Sequence, residues 1–189
     1  GSGVYQLEGL HAVETRTIDT PFGAPSAPIT QGEIEGRTVF FLPRHGVDHA
    51  IPPHKINYRA NIDAFRQLGV ERIFSIGAVG TLHAEWKPGT IVIPDQIIDM
   101  TFGARASTFF DGGQVMHVDF SQPYCASLRQ TVASAAAETH ESVIGQGTYI
   151  CTNGPRLESA AEIRYYSMIG ADIVGMTSMP EAGLAREAE

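Results

Sequence analysis

Arg44, His45, His49 and His54 fall within one Gly/Pro-punctuated run, LPRHGVDHAIPPHKINYRAN, from Leu42 to Asn61. The planar guanidinium of Arg44 presents paired donors that match a phosphate, and adjacent His45 can add a neutral or charged donor to the same anion. The pair reads as an oxyanion grip. A second segment, Ser75-Ile-Gly-Ala-Val-Gly-Thr81, runs a strand into small residues whose backbone N–H groups, at Gly77 and Ala78 among them, can approach an anion closely. Taken singly, these residues suit a solvated loop and an ordinary tight turn equally well. The turn lacks the Lys of a nucleotide-cradling loop, and no G-x-G-x-x-G occurs, which disfavours an NTPase and a dinucleotide-dependent dehydrogenase. No G-x-S-x-G elbow is present, and neither Cys125 nor Cys151 belongs to a Cys–His motif, so no protein nucleophile is evident. No metal and no cofactor are expected. The histidine spacing could bring two imidazoles together, but no acidic or thiol partner stands at zinc-like spacing.

These side chains need elements to hold them. Residues 29–34 and 38–43 alternate apolar and polar around Glu35-Gly36, which predicts a hairpin leading into the Arg44 loop. Asn57 to Leu68 carries Tyr58, Ile62, Phe65 and Leu68 at helical spacing with Gly69 to stop it, and Arg72–Ile76 then reads as a buried strand. Ile91–Pro94 is a predicted strand, Ser121–His140 an Ala-rich helix with Pro123 in its first turn, and Thr148–Thr152 another strand. Glu158–Ile169 predicts a helix, Asp172–Gly175 a short strand, and Pro180–Glu189 a last helix. Helices and strands alternate throughout. The expectation is an α/β fold, a single domain over 1–189 with a central mixed β-sheet flanked by helices. No repeat, low-complexity tract or linker divides the chain, although Thr101–Phe120 is irregular and Gly-rich.

Composition narrows the partners. With 189 residues the chain can bury a sizeable core. Its 13 basic and 21 acidic residues give a net charge of -8, which argues against nucleic-acid and anionic-membrane surfaces and for a small-molecule ligand. Two cysteines far apart are neither a disulfide framework nor a zinc knuckle, so a reducing, cytoplasmic setting is expected. No apolar stretch is long enough to span a bilayer, and no basic region followed by an apolar one opens the chain.

A third pair of segments carries a resemblance. They are Cys151-Thr-Asn-Gly-Pro-Arg-Leu-Glu-Ser159 and Gly175-Met-Thr-Ser-Met-Pro-Glu-Ala182. Together with GSG at Gly1, DTPFGAPS at Asp19, RHG at Arg44 and NYRAN at Asn57, they make the chain resemble the purine nucleoside phosphorylase family along its whole length. Within that family it is similar to the methylthioadenosine and methylthioinosine phosphorylases, and GPRLE with MTSMPEA points to the bacterial methylthioinosine branch.

The resemblance implies reversible phosphorolysis of a 5'-methylthio purine nucleoside to free base and 5-methylthioribose 1-phosphate, with inorganic phosphate as nucleophile. By motif, Ser2, Arg44, His45, Gly77, Ala78 and Thr177 would hold phosphate. Met176 would lie against the ribose, Leu157 and Glu158 would contact or discriminate the base, and His117 would help a neighbouring subunit close its 5'-substituent pocket. A homotrimer is the oligomer implied. The chain departs from the family in three ways. It begins at the glycine turn and stops after Glu189, so a domain truncated at both ends is expected. The acidic residues that would recognise and protonate the purine are missing from it. Gly77 stands where relatives often carry a hydroxyl or amide. Two further readings stay open: a noncatalytic or incomplete fragment that keeps a phosphate pocket and a subunit-interaction surface, and a general purine nucleoside phosphorylase.

Overall fold

The computed structural model describes residues 10–139 and 142–189. The first three strands, β1 (His11–Arg16), β2 (Ile29–Ile34) and β3 (Arg37–Phe41), form an antiparallel sheet in the order β1-β2-β3. The expected hairpin is there: Ile34 pairs with Arg37 across Glu35 and Gly36, both in the left-handed region at φ 50 and 73. That geometry matches the right-handed twist of the flanking strands. It delivers the chain from β3 straight into Pro43-Arg44-His45.

A single 3-10 turn at Pro53–Lys55 precedes α1 (Tyr58–Gln67). Asn57 caps that helix by accepting from the Ala60 N–H at 3.2 Å, and Gly69 at φ 71 ends it. The Asn57 amide also donates to the Phe22 carbonyl at 2.8 Å, while Asn61 accepts from the Ser26 N–H at 2.8 Å and donates to its hydroxyl at 3.0 Å. The two asparagines of NYRAN thus fasten the DTPFGAPS segment.

The larger sheet is mixed, with β4 (Gly80–Thr81), β9 (Ile173–Gly175), β8 (Thr148–Thr152) and β6 (Gln96–Met100) in that order. β6, β8 and β9 run parallel, and β4 is antiparallel to β9. Both faces of β8 are buried, Ile150 among Tyr166, Ala171 and Val174, and Tyr149 and Cys151 beside Ile173. This is the pattern of a parallel strand covered on both sides. A short parallel pair, β5 (Ile91–Val92) and β7 (Val143–Ile144), stands apart from it. Two helices follow β6 and β8, α2 (Ala126–Thr139) and α3 (Ala160–Met168), and α4 (Ser178–Glu187) packs on α1. Leu184 of α4 is fully buried against Ile56, Tyr58 and Ile62, worth roughly 1.5–3 kcal/mol for the leucine alone. The chain is α/β around a mixed sheet, as expected.

Several elements differ from expectation: β1, β6 and β7 are strands the sequence pattern does not predict, β5 ends at Val92 rather than Pro94, and four further segments are placed differently. Residues 72–76 are not a strand, and Phe74 and Ile76 are 55% and 57% exposed. Their apolar, β-branched character suits a sheet, but a wide cleft separates them from β3, so no strand lies alongside until Gly80 pairs with Val174. Helix α2 begins at Ala126 rather than Ser121, because the Tyr124 hydroxyl is bonded to Ser178 of α4 at 2.7 Å and holds its segment off the helix axis. Helix α3 begins at Ala160, with Ser159 and Glu162 forming a reciprocal capping box. Glu158 therefore precedes the helix. Helix α4 starts at Ser178, two residues before the proline, with Met179 extended inside it at φ -116 and ψ 136.

Candidate active site

A cleft of about 1530 Å³ opens between β3 with the loop that follows it and the residues 68–74 and 76–80, and Pro155, Leu157, Glu158 and Val174–Thr177 form its far wall. Arg44 lies in it with a side chain only 16% exposed. Its Nη1 donates to the Thr177 hydroxyl at 3.0 Å, its Nη2 donates to the Ser75 hydroxyl at 2.6 Å, and its Nε meets Glu181 Oε2 at 3.2 Å. Ser75 in turn donates to the other oxygen of Glu181 in a very short bond. A guanidinium has five N–H groups. Among the described residues three are committed, which leaves one N–H on each terminal nitrogen.

Each partner arrives from a different element. Ser75 and Gly77 come on the segment between α1 and β4, Thr177 from the end of β9, and Glu181 from the first turn of α4. The pairing of Gly80 with Val174 sets the first beside the second. A Cβ built on Gly77 would lie 3.7 Å from Arg44 Nη1 and 3.8 Å from Thr177 Oγ1, which is ordinary contact distance, so Gly77 borders the cluster with room to spare. Tyr149 fixes the approach to Thr177. Its hydroxyl accepts from the Thr177 N–H at 3.4 Å and occupies the place a side chain on Gly175 would need. Burial pushes the Tyr149 phenol up to about 12, so it stays a neutral hydroxyl.

His45 adjoins Arg44 on the cleft wall, with Nδ1 2.9 Å from the Ile51 carbonyl and its ring stacked on His49 at 4.3 Å. Burial lowers its pKa, against the Ile51 carbonyl and with help from His49 and Arg44. A neutral imidazole facing a carbonyl must carry its proton on Nδ1, which leaves Nε2 an acceptor.

The far wall is less polar. Met176 packs over Gly154, whose absent Cβ would fall 2.5 Å from the Met176 sulfur. Leu157 is 81% exposed into the cleft, beside Glu158. The Glu158 carboxylate accepts from the Thr152 hydroxyl at 2.7 Å and has no cationic partner among the described residues.

Of the residues singled out in the sequence, the cleft gathers Arg44, His45, Gly77, Ala78, Leu157, Glu158, Met176 and Thr177. His117 is exposed on the irregular 101–120 stretch and lines no part of this cleft. Ser2 lies outside the described residues. Ser75 and Glu181 were not singled out as site residues, although both stand inside recognised motifs. They are 106 positions apart, and only the fold shows that they share one guanidinium. Among the described residues no group of three or more His, Cys, Asp and Glu side chains could hold a metal ion, and no helix is long and apolar enough to cross a membrane.

An α/β fold that gathers an arginine, a threonine hydroxyl and a small-residue turn in one cleft suits transfer to an inorganic anion, and sequence comparison names the class. The chain belongs to the phosphorylase superfamily, whose profile matches residues 1–189. It is 52% identical over 189 residues to a probable S-methyl-5'-thioinosine phosphorylase of Thermodesulfovibrio yellowstonii, covering 100% of this chain and 71% of that one. It is 50% identical over 188 residues to the S-methyl-5'-thioadenosine phosphorylase of Thermofilum pendens, again across 100% of this chain and 71% of the relative. Among solved structures, a methylthioadenosine phosphorylase from an antarctic soil metagenomic library superposes with a TM-score of 0.94 at 44% identity. That match covers 98% of this chain and 65% of the other.

Proposed function

We propose that this chain carries the phosphate- and nucleoside-binding cleft of a phosphorylase that converts 5'-methylthio purine nucleosides and inorganic phosphate to free purine and 5-methylthioribose 1-phosphate. The observation that carries the reading is the Arg44 cluster, with two guanidinium N–H groups uncommitted among the described residues beside Thr177 and the Gly77-Ala78 turn. Family membership and relatives whose names are methylthionucleoside phosphorylases support the same conclusion.

Cleaving an N-glycosidic bond builds positive charge on the sugar and negative charge on the departing base. An anion fixed beneath C1' stabilises the first and then attacks it, so no protein nucleophile is needed. In this reading Arg44, Thr177 and the backbone at Gly77 and Ala78 orient that phosphate, with Ser2 as a further donor. Neutral His45 offers Nε2 as an acceptor for the hydroxyl of monohydrogen phosphate. Met176 lies against the ribose, and Leu157 against the base. His117 completes the 5'-substituent pocket of a neighbouring copy, which requires a homo-oligomer, taken here as the homotrimer the family implies. Phosphate is the only co-reactant and no cofactor takes part. The enzyme works in the cytoplasm, where purine and methylthio salvage occurs.

Glu158 favours methylthioinosine over methylthioadenosine. A 6-oxopurine presents an N1–H donor that a carboxylate accepts, whereas the N1 of adenine is itself an acceptor and would face the carboxylate unfavourably. Purine release from each nucleoside, measured with and without inorganic phosphate, tests the proposal. Release that needs phosphate and is faster from methylthioinosine is the expected result. Release without phosphate makes the protein a hydrolase, and no release from either nucleoside means that this chain binds without turning over.

The space at Gly77 yields a gain-of-affinity prediction. Gly77 is not held in the left-handed region, and a Cβ there meets nothing closer than 3.7 Å. Gly77→Ser should therefore fit and add one hydroxyl donor beside Arg44 and Thr177. The expected result is a KM for phosphate lowered about two- to tenfold, the value of one net hydrogen bond of roughly 0.5–1.5 kcal/mol. A raised KM would mean that phosphate does not approach this turn.

A further inference from the structure

Arg105 is 8% exposed, and every one of its donors is used. Its Nε reaches the Asn153 side-chain oxygen at 3.4 Å, and its Nη2 donates to the carbonyls of Thr152 and Asn153 at 3.3 and 3.0 Å. Its Nη1 donates to the Tyr58 hydroxyl at 3.0 Å and, in a short bond, to the Met179 carbonyl. The guanidinium also stands 5.2 Å from the centre of the Tyr58 ring. Among the described residues no carboxylate lies within ion-pair distance of it. A buried cation with only neutral acceptors is expensive to maintain, and an apolar side chain would fill ordinary core at lower cost. Its value lies in what its five bonds tie together.

Those bonds join the end of β8, the first residue of α1 and the extended break in α4. Met179 is the decisive partner, because it lies midway between Thr177 and Glu181, the two residues of that segment that touch Arg44. Its carbonyl is held by Arg105 and its N–H by the Cys151 sulfur at 3.3 Å. Both sides of the peptide path between the Arg44 partners are therefore anchored, the N–H by the buried Cys151 thiol and the carbonyl chiefly by Arg105, with the Cys151 sulfur a longer contact at 3.8 Å. We propose that Arg105 is a positioning residue of the anion grip, acting through Met179 to hold Thr177 and Glu181 at the spacing that orients Arg44. The inference rests on the phosphate-binding reading of that grip. It also gives the irregular 101–120 stretch a role in the site, since that stretch supplies the staple from outside the cleft.

A lysine at this position keeps the charge and part of the volume but cannot reach five acceptors in one plane. Calorimetric titration of the chain with inorganic phosphate, and separately with hypoxanthine, reads the effect without requiring turnover. Arg105→Lys should weaken phosphate binding at least tenfold and hypoxanthine binding clearly less, because Arg105 reaches the wall of Leu157 and Glu158 only through the Thr152 and Asn153 groups at its base, whereas it holds Met179 between two partners of Arg44. If Arg105→Lys does not fold, Tyr58→Phe decides the matter. It retains the guanidinium with four of its five partners and should weaken phosphate binding about threefold, again with hypoxanthine weakened less. Equal weakening of both ligands would assign Arg105 to general stability, and unchanged phosphate binding would remove it from the grip. Failure of the unsubstituted chain to bind phosphate would instead overturn the reading of the grip itself.

Discussion

Arg44→Ala should lower kcat/KM for phosphate about a hundredfold while changing the KM for nucleoside less than about threefold. Two effects add. The variant loses the two guanidinium N–H groups that no described residue engages, and charge-assisted bonds of this kind are worth roughly 1.5–3 kcal/mol, or about ten- to 150-fold. It also leaves Glu181, whose side chain is 12% exposed, facing the phosphate path without the cation 3.2 Å away. An unpaired carboxylate beside the anion site opposes the binding of a second anion, and its burial lowers the melting temperature of the variant. The double variant Arg44→Ala/Glu181→Gln separates these contributions. It should recover most of the lost thermal stability and only a few-fold of the turnover, since the charge conflict is relieved but the donors are still missing. Initial rates at varied phosphate, with a thermal melt of each protein, provide the measurement. Turnover within threefold of the unsubstituted protein would take Arg44 out of the anion site.

The same cluster shows where the sequence was legible and where it was not. Arg44 beside His45 on a Gly/Pro-punctuated loop suits an anion but suits a solvated loop equally well, and it is the fold that adds its bonds to Thr177, Ser75 and Glu181. The hairpin itself was readable because a two-residue turn at Glu35-Gly36 needs positive φ at both positions. Thr177, Met176, Leu157 and Glu158 were nominated only through the family resemblance, since a threonine or methionine at a strand end has no chemical signature of its own. Ser75 and Glu181 escaped because their role exists only as a pair, and no local pattern links a strand-end serine to a carboxylate 106 residues later. Arg105 escaped for the opposite reason. A lone arginine in a Gly-rich stretch reads as a solvated charge, and its burial is decided entirely by carbonyls of distant elements. The segment 72–76 was misread for a related cause: apolar periodicity reports what a segment would bury, not whether a neighbouring strand lies within reach.

Glu158→Gln should shift the preference between methylthioinosine and methylthioadenosine by about a hundredfold toward the adenine nucleoside. The capping box at Ser159 and Glu162 starts α3 one residue after the cap, which leaves Glu158 in the loop that borders the cleft. There the Thr152 hydroxyl donates to one of its oxygens at 2.7 Å. In the variant the same donor is expected to stay on the Gln oxygen rather than turn to the Gly175 carbonyl 3.5 Å away. With the Gln oxygen held by Thr152, its NH2 group turns toward the base, where it donates to the N1 of adenine and opposes the N1–H of hypoxanthine. Replacing an accepted hydrogen bond by a donor–donor conflict on one substrate, and the reverse on the other, is worth roughly 1–3 kcal/mol in each direction. Thr152→Val provides the control for orientation: it should blunt the preference of the unsubstituted protein and, combined with Glu158→Gln, leave the amide free to turn and reduce the reversal. The ratio of kcat/KM values for the two nucleosides at saturating phosphate reads all four proteins on one scale. A ratio that Glu158→Gln does not move would place the base beyond reach of Glu158 and return base selection to residues outside this wall.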